Sequence, residues 1–298
     1  MGFKRTKVGI LGIGAIGSAI SCLLKANTSL DLHFYNRTPK GTIKVLYNGI
    51  ENEILVDDIN NYNQELDWLI ICLKEHQYNS ATSTLLKLVR PHTKLVSIRN
   101  GLYHKEPLLE YTKEENILEC IIDCPTQQKQ DDIYQILRKP ILTVPESRLA
   151  RDFENLFQGE NATIKQTFDF KTACWKKVCE SATLGAILCL SGETCWVFQD
   201  DELLELYKTA LKESIQVAIA DGAKIEVDFI DKMIAKLLSY PPEKSSSMLT
   251  DRLNGKPIEL DAKNGVIVER GKQNCIATPI NDLFVKLLKK TNKKYFIL

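Results

Sequence analysis

A glycine-rich turn near the start of the chain limits the possible folds more than any other feature of the sequence. The motif Gly12-x-Gly14-x-x-Gly17 follows an apolar segment at 7–11 and opens a segment at 15–26 whose apolar residues repeat with helical spacing. Another apolar segment follows at 30–35. Strand, glycine turn, helix and strand within about thirty residues form one βαβ unit, so we expect a sheet of parallel strands.

Each glycine of the motif has a separate task in this setting. The first allows the tight turn, the second lets the backbone approach a pyrophosphate, and the third lets the helix pack closely on the strand. The start of the helix adds free N–H groups and the positive end of the helix dipole. The motif therefore predicts a dinucleotide-binding site formed by Gly12, Gly14, Ala15, Ile16 and Gly17.

The end of the second predicted strand bears on the choice of dinucleotide. NAD sites usually carry Asp or Glu there, which accepts a hydrogen bond from the ribose 2′-hydroxyl. This chain instead reads Tyr35-Asn36-Arg37, which supplies no carboxylate. The planar guanidinium of Arg37 suits a 2′-phosphate, so the sequence predicts NADP(H) as the cofactor.

Strand patterns occur up to about residue 168, and helical patterns follow it. In the first part we predict a hairpin at 43–56 that turns at Asn48-Gly49, and helices at 78–89 and 147–157. Further strands are predicted at 68–73, 94–98, 117–122, 133–137, 141–144 and 162–167. Helices in the second part are predicted at 170–190, 201–221, 227–238, 258–273 and from Ile280 onward.

The expected fold class is therefore α/β, with two domains. Residues 1–168 would form an N-terminal Rossmann-type doubly wound sheet that binds NADP(H), and residues 169–298 an all-α C-terminal domain for substrate and catalysis. A solvated face of the last helix is expected to carry Lys286, Lys289, Lys290, Lys293 and Lys294.

Composition excludes several classes of partner. The net charge is +1, so we expect no nucleic-acid partner, because such proteins usually carry a basic excess. No apolar run approaches the roughly 18 residues of a membrane-spanning helix, and we recognise no secretion signal, so we expect a cytoplasmic protein without a membrane partner. The nine cysteines include no CxxC pair, which favours reduced structural thiols over a metal site or disulfides.

Candidate ligand-binding side chains follow two of the predicted strands. Lys74 follows the strand at 68–73, and Asn100 follows the strand at 94–98. The carboxyl ends of parallel strands are where open α/β sheets bind ligands. In the second part, Lys177, Ser181 and Gly185 recur every four residues and share one helix face. Spacing alone leaves a surface role for Lys177 open.

The motifs taken together resemble the ketopantoate reductase (2-dehydropantoate 2-reductase) family. They occur in the family's order and span nearly the whole chain. Besides the glycine motif, Arg37 and Asn100-Gly101, the resemblance rests on Leu73-Lys74-x-x-Gln77, Trp175-Lys176-Lys177, Ser246-Ser247-Met248-Leu249, Glu259-x-Asp261 and Thr278-Pro279-x-Asn281. It implies NADPH-dependent reduction of a 2-oxo acid to a 2-hydroxy acid, with 2-dehydropantoate, a precursor in pantothenate biosynthesis, as the expected substrate.

The resemblance also implies roles for individual residues. Lys177 matches the proton donor to the reduced carbonyl, and Glu259 matches the acid that assists catalysis and binding. The remaining positions are implied to contact the ligands: the substrate at Asn100, Lys177, Ser181 and Ser247, and the cofactor at Arg37, Lys74 and Asn100.

The sequence departs from the family on the Lys177 helix. The family usually carries asparagines one and two turns after the lysine, where they contact the hydroxyl end of the substrate. This chain has Ser181 and Gly185 there, and glycine offers no polar group. Three alternatives stay open: a reductase of a different 2-oxo acid, a β-hydroxy acid or opine-type dehydrogenase, and a non-catalytic NADPH-binding protein. We expect a monomer or a homodimer.

Overall fold

The computed structural model describes residues 5–37, 40–58 and 65–292. The chain divides into two compact units. The first unit consists of Met1–Arg99 and Tyr103–Phe170, and the second of Asn100–Leu102 and Lys171–Leu298. The segment Asn100–Leu102 thus belongs to the second unit, although its neighbours in the sequence belong to the first. The domain boundary expected between residues 168 and 169 stays a prediction.

The first unit contains the sheet predicted from the glycine motif. Its strands are, in chain order, β1 (Thr6–Leu11), β2 (Leu30–Tyr35), β3 (Thr42–Tyr47), β4 (Ile50–Leu55), β5 (Trp68–Ile71), β6 (Lys94–Ile98), β7 (Ile117–Asp123), β8 (Thr126–Gln130), β9 (Ile133–Ile136), β10 (Ile141–Pro145) and β11 (Thr163–Thr167). Among the described residues, seven strands form one sheet with the order β11-β10-β7-β6-β5-β1-β2. All neighbours in it are parallel except β7 and β10. Because β2 and β5 lie on opposite sides of β1, the carboxyl end of β1 is a point where ligands bind in such sheets.

Helices cover both faces of this sheet. They are α1 (Ala15–Leu24), α2 (Tyr78–Leu88) and α3 (Arg148–Glu154). Successive strand residues point to opposite faces, and all four residues of β5 are buried. Trp68 and Ile70 pack with apolar residues of α1 and α3, whereas Leu69 and Ile71 pack with apolar residues of α2. The predicted doubly wound architecture is confirmed, since a sheet covered on both faces is typical of it.

A smaller sheet in the described part of this unit contains four strands in the order β4-β3-β9-β8. The predicted hairpin is confirmed, and its turn residues Asn48 and Gly49 both have positive φ, at 49° and 77°. Strand β8 was not predicted, because its sequence TQQKQ is polar throughout and shows no alternation. It forms by antiparallel pairing with β9.

The second unit is helical, and its described residues contain no strand. Its helices are α4 (Phe170–Ser191), α5 (Asp201–Ala220), α6 (Phe229–Leu238), α7 (Ser247–Leu253), α8 (Val266–Gln273) and α9 (Pro279–Asn292). The helix predicted at about 258–273 is confirmed over Asp261–Gln273, but its first turn is not α-helical. Residues Asp261–Gly265 form a π-turn, in which the Gly265 N–H donates to the Leu260 carbonyl, and α8 begins only after it. Helix α7, whose first turn is capped by the Ser246 side chain, was not among the predicted helices.

Two further observations concern the surface. Within the described ranges, no helix is both long enough and apolar enough to cross a bilayer. On α9, Lys286, Lys289 and Lys290 are exposed as predicted, whereas Lys293 and Lys294 lie outside the described residues.

A buried carboxylate ties three helices of the second unit together. Asp221, just after α5, accepts hydrogen bonds from Trp175 Nε1 on α4 at 2.9 Å and from Arg270 Nε on α8 at 2.7 Å. Lys171 Nζ lies 3.0 Å from Asp221 Oδ2, the oxygen that also accepts from Trp175. Burial alone would raise the pKa of Asp221, but these donors outweigh it and hold the pKa below its usual value. The ionised form therefore stabilises the fold.

We expect Asp221→Asn to lower the free energy of unfolding by about 3 kcal/mol at neutral pH, because it removes one partner of a buried ion pair. A carboxyl with a lowered folded-state pKa contributes stability above its unfolded pKa and loses it as pH falls, so the difference from wild type should narrow below about pH 4. Urea unfolding at several pH values measures this. The exposed Asp231→Asn should change stability by less than about 0.5 kcal/mol; equal losses in both variants would contradict the assignment.

Candidate active site

The glycine turn has the conformation that the motif predicts. Gly12 has φ +94°, and an ideal Cβ there would lie 2.8 Å from Leu73 Cδ2. At Gly17 an added Cβ would overlap the carbonyl oxygen of Gly12. Both positions therefore exclude side chains for reasons internal to the first unit: the first through backbone conformation and the second through contact between helix α1 and the turn.

Gly14 is different, because nothing lies within 4 Å of an ideal Cβ at this position. Its φ is −97°, which any residue can adopt, so neither strain nor packing explains a glycine here. Gly14 caps the N-terminus of α1, and no side chain caps the first turn of the helix in the described chain. The N–H groups of Ala15 and Ile16 belong to the first turn of α1, where a helix offers them no internal acceptor. These residues fit a pyrophosphate, which binds at helix N-termini where the backbone can be approached closely.

The end of β2 joins the glycine turn through Asn36, a residue that sequence reasoning did not single out. Asn36 Oδ1 accepts a hydrogen bond from the Ile13 N–H at 3.3 Å. The next residue, Arg37, is exposed, and its Nη1 donates to Ser80 Oγ at 3.1 Å. The described residues that directly follow β2 include no carboxylate. The position therefore offers a guanidinium, partly oriented by a hydroxyl, where a ribose would be recognised.

Lys74 lies shortly after the carboxyl end of β5, and Asn100 lies shortly after that of β6, as the sequence predicts. Lys74 is half-buried, and its N–H donates to Gln77 Oε1 at 2.9 Å, which fixes the backbone before α2. At the end of β6, the largely buried Arg99 donates to the Tyr103 carbonyl at 2.9 Å and lies over the Tyr78 ring. Burial raises the pKa of Tyr78 to about 12. This packing holds both ends of the three-residue segment that begins with Asn100.

In the second unit, Asn100 and Glu259 meet. Asn100 Nδ2 donates to Glu259 Oε2 at 2.8 Å, and Glu259 is buried. The neighbouring Gly101 has φ +92°, and an ideal Cβ there would lie 3.0 Å from the Ala262 carbonyl oxygen. Only glycine allows this approach, so the Asn100-Gly101 pair is explained by one polar contact and one close backbone contact.

Three consecutive residues of helix α4 lie in different environments. Trp175 is buried and bonds to Asp221, as described above. Lys176 pairs with Glu226, whose pKa is lowered chiefly by that hydrogen bond. Lys177 is half-buried and lies on the same helix face as Ser181 and Gly185. The two neighbouring lysines therefore lie in different environments.

Two residues that prediction missed complete this part of the second unit. Met248 is buried, and its Sδ would lie 2.7 Å from an ideal Cβ at Gly185. Lys263, on the π-turn, is only 2% exposed and donates from Nζ to Ser247 Oγ at 3.0 Å. The π-turn adds a residue to one helical turn and so shifts the face on which Lys263 lies, which no helical period in the sequence could reveal.

The structure thus joins some predicted site residues by direct contact and leaves others related only by position. Asn100 contacts Glu259, and Ser247 contacts Lys263. Lys177 and Ser181 share a helix face with Gly185, which adjoins Met248. The ligand-binding and catalytic roles of all these residues stay predictions. Among the described residues, no group of three or more His, Cys, Asp or Glu could hold a metal ion.

Fold and site together define a class: proteins with a Rossmann-like N-terminal unit and a helical C-terminal unit. Two family models match the chain. The model described as Ketopantoate reductase PanE/ApbA matches residues 8–147, and the one described as Ketopantoate reductase PanE/ApbA C terminal matches residues 169–292. The chain belongs to the ketopantoate reductase family, a family of oxidoreductases.

Individual relatives agree with this assignment. The chain is 29% identical over 288 residues to the 2-dehydropantoate 2-reductase of Mycobacterium tuberculosis, covering 95% of this chain and 97% of that protein. It is 27% identical over 285 residues to the 2-dehydropantoate 2-reductase of Caulobacter vibrioides, covering 95% and 98%.

Solved structures share the fold. A dimeric ketopantoate reductase from Staphylococcus aureus superposes with a TM-score of 0.88 at 23% identity, covering 97% of this chain and 99% of that one. A ternary structure of D-mandelate dehydrogenase with NADH and anilino(oxo)acetate superposes with a TM-score of 0.86 at 17% identity, covering 98% and 100%.

The glycine turn gives a matched pair of substitutions. We expect Gly17→Ala to destabilise the protein by about 3 kcal/mol, because the added methyl overlaps a backbone oxygen that cannot move freely. Gly14→Ala should change stability by less than about 1 kcal/mol, because its methyl meets open space. Thermal unfolding followed by circular dichroism compares the two. A Gly14→Ala protein as unstable as Gly17→Ala would show that the turn is packed differently.

Proposed function

We propose that the protein catalyses the NADPH-dependent reduction of a 2-oxo acid to a 2-hydroxy acid, with 2-dehydropantoate as the first candidate substrate. The observation that carries the proposal is the hydrogen bond between Asn100 Nδ2 and Glu259 Oε2 at 2.8 Å. It joins residues 159 positions apart, of which the family resemblance assigns Asn100 to substrate contact and Glu259 to assisting catalysis and binding. A carboxylate that holds an amide in this way leaves the second N–H of Asn100 for a substrate oxygen.

We assign cofactor binding to residues 1–168. Three features support this: the open space at Gly14, the uncapped start of α1 and the guanidinium of Arg37. The ternary structure of the similar D-mandelate dehydrogenase contains NADH. The absence of a carboxylate at the end of β2 favours a 2′-phosphorylated dinucleotide. When bound, NADPH supplies the hydride that adds to C2 of the 2-oxo acid.

We assign protonation and substrate binding to residues 169–298 and Asn100. As the C2 carbon gains hydride, its carbonyl oxygen gains negative charge. The Lys177 ammonium stabilises that charge and donates one proton, so that the carbonyl becomes a hydroxyl and the lysine becomes a neutral amine that is reprotonated from solvent. General acid catalysis of this kind contributes about 10²–10⁴-fold to the rate. Ser181 supplies a hydroxyl group for the distal end of the substrate, and Ser247 supplies one for its carboxylate.

A second candidate function rests on Gly185. The space that a side chain at this position would use is filled by the thioether of Met248, with Sδ 2.7 Å from an ideal Cβ. An apolar lining favours a 2-oxo acid without a distal hydroxyl, because a site binds a hydroxyl well only when it offers hydrogen-bonding partners. The second candidate is therefore the same reaction on a 2-oxo acid with an apolar side chain.

Two further proposals concern the protein as a whole. We place it in the cytoplasm, which agrees with cysteines that are mostly buried and with the lack of a membrane-spanning helix among the described residues. It would act there as a monomer or a homodimer, and the second form is known in the Staphylococcus aureus relative.

Arg37→Ala should raise the KM for NADPH by about tenfold or more and leave the KM for NADH unchanged, because it removes a charged hydrogen bond to a phosphate that only NADPH carries. Steady-state kinetics with both cofactors measures the change. The NADH series is the internal control. Equal loss with both cofactors would assign Arg37 to a structural role.

The substrate panel tests the reaction itself. NADPH oxidation is followed optically with 2-dehydropantoate, 3-methyl-2-oxobutanoate and benzoylformate, of which only the first carries a distal hydroxyl. We expect turnover with at least one; a preference for the last two supports the apolar alternative. No oxidation with any 2-oxo acid at saturating NADPH would reject the proposed reaction and favour a non-catalytic NADPH-binding protein.

Lys177→Ala should bind NADPH normally and lower kcat by about 10²–10⁴-fold, because it removes the general acid. The matched control is Lys176→Ala, since the neighbouring Lys176 pairs with Glu226 at the surface. This variant should keep its kcat. Comparable kcat values for the Lys177→Ala protein and wild type would remove the role assigned to Lys177.

A further inference from the structure

A buried ammonium lies beneath an exposed hydroxyl in the second unit. Lys263 is 2% exposed, whereas Ser247, whose Oγ accepts a hydrogen bond from Lys263 Nζ at 3.0 Å, is exposed. Burying a charged lysine is costly, so such residues are uncommon where a solvated side chain would serve equally well. The N-terminus of α7 is capped by Ser246, so the Ser247 hydroxyl is not needed for that role.

The backbone around Lys263 is held on both sides. The carbonyl of the preceding Ala262 adjoins Gly101, as described above. The following Asn264 is fully buried and donates from Nδ2 to Asn281 Oδ1 at 2.9 Å. Asn281 in turn donates to Glu213 on α5. The backbone of Lys263 thus lies between two anchored neighbours, and its buried side chain extends to Ser247.

The direction of the hydrogen bond decides what Ser247 can do. An ammonium group only donates, so the Ser247 oxygen acts as acceptor in this contact. The hydroxyl proton of Ser247 is therefore left for another acceptor. Because the hydroxyl is exposed and is polarised by a neighbouring positive charge, it is a good donor to an anion.

The charge of Lys263 also acts on helix α4. Cys189, one helical turn after Gly185, is buried. Burial raises the pKa of the Cys189 thiol, and the positive charges of Arg252 and Lys263 oppose this effect. Cys189 on α4 and Ser247 at the start of α7 are thus both near the same buried lysine.

We propose that Lys263 is a positioning residue of the substrate site, which orients the Ser247 hydroxyl as a donor to the carboxylate of the 2-oxo acid and stabilises that carboxylate by its charge. The identity of the ligand rests on the proposed function; the anion-binding arrangement rests on the Lys263–Ser247 contact. Lys263 acts through Ser247, and the bond-making steps at C2 do not involve it.

The test compares Lys263→Met, Ser247→Ala and the double variant. Two quantities are measured: the KM for the 2-oxo acid, and the calorimetric Kd of oxamate, an unreactive carboxylate analogue, in the presence of NADP⁺. We expect both to rise by about 10- to 100-fold in each single variant, because a hydrogen bond to a charged group is lost. The double variant should be no worse than the single ones, since the two residues act as one unit.

Controls separate this role from general damage. The KM for NADPH should be unchanged, and Lys272→Met, the same substitution at an exposed lysine of α8, should leave oxamate binding intact. If Lys263→Met does not fold, the oxamate Kd of the Ser247→Ala variant alone tests the proposal. An unchanged oxamate Kd in that variant overturns the proposal, as do additive losses in the double variant or an equal loss of NADPH affinity.

The same measurements distinguish this proposal from the proposed function. Wild-type protein that binds oxamate in a Lys263-dependent way but oxidises NADPH with no 2-oxo acid supports the anion site and rejects the reaction. Wild-type protein that turns over a 2-oxo acid, with oxamate binding indifferent to Lys263 and Ser247, supports the reaction and rejects the anion site. Wild-type protein that binds no oxamate also rejects the anion site.

Discussion

Helix α1 starts where it does because no side chain separates Gly17 from the carbonyl oxygen of Gly12. This contact brings the first turn of the helix against the end of β1, and β1 is the strand on whose two sides the parallel sheet continues. The uncapped helix start, the open space at Gly14 and the Asn36 contact to the turn all depend on it. A single interaction without side chains thus gives the first unit its candidate dinucleotide site.

The second unit depends on buried charges instead. Asp221 is surrounded by donors from α4 and α8, and Glu213 on α5 accepts from the first N–H groups of α9 and from the Asn281 side chain. Both carboxylates are satisfied within the fold, so their charge is explained by architecture. Lys263 donates to an exposed serine, and that contact is the reason to connect it with a ligand.

The motif residues of the two units have different physical explanations. In the first, each glycine is explained by backbone geometry or by open space, so the spacing in the sequence carries the information. In the second, Trp175, Lys176 and Lys177 are adjacent but have three different environments: a buried hydrogen bond, a surface ion pair and a half-buried position on the face shared with Ser181. The motif Thr278-Pro279-x-Asn281 is explained here by capping, because Asn281 bonds to Glu213.

The sequence by itself determined the βαβ unit, the hairpin turn at Asn48-Gly49 and the change from strands to helices, because each depends on local periodicity or on glycine conformation. Its motifs, in their order along the chain, carried the resemblance to the family. Only the tertiary structure decided that Thr126–Gln130 is a strand, that Asp261–Gly265 is a π-turn, and that Met248 and Lys263 adjoin Gly185 and Ser247. A polar strand is defined by its partner, and a π-turn moves side chains off the helical period. Contacts between segments distant in the chain leave no periodic trace, so the residues that shape the candidate substrate site could be found only after the chain had folded.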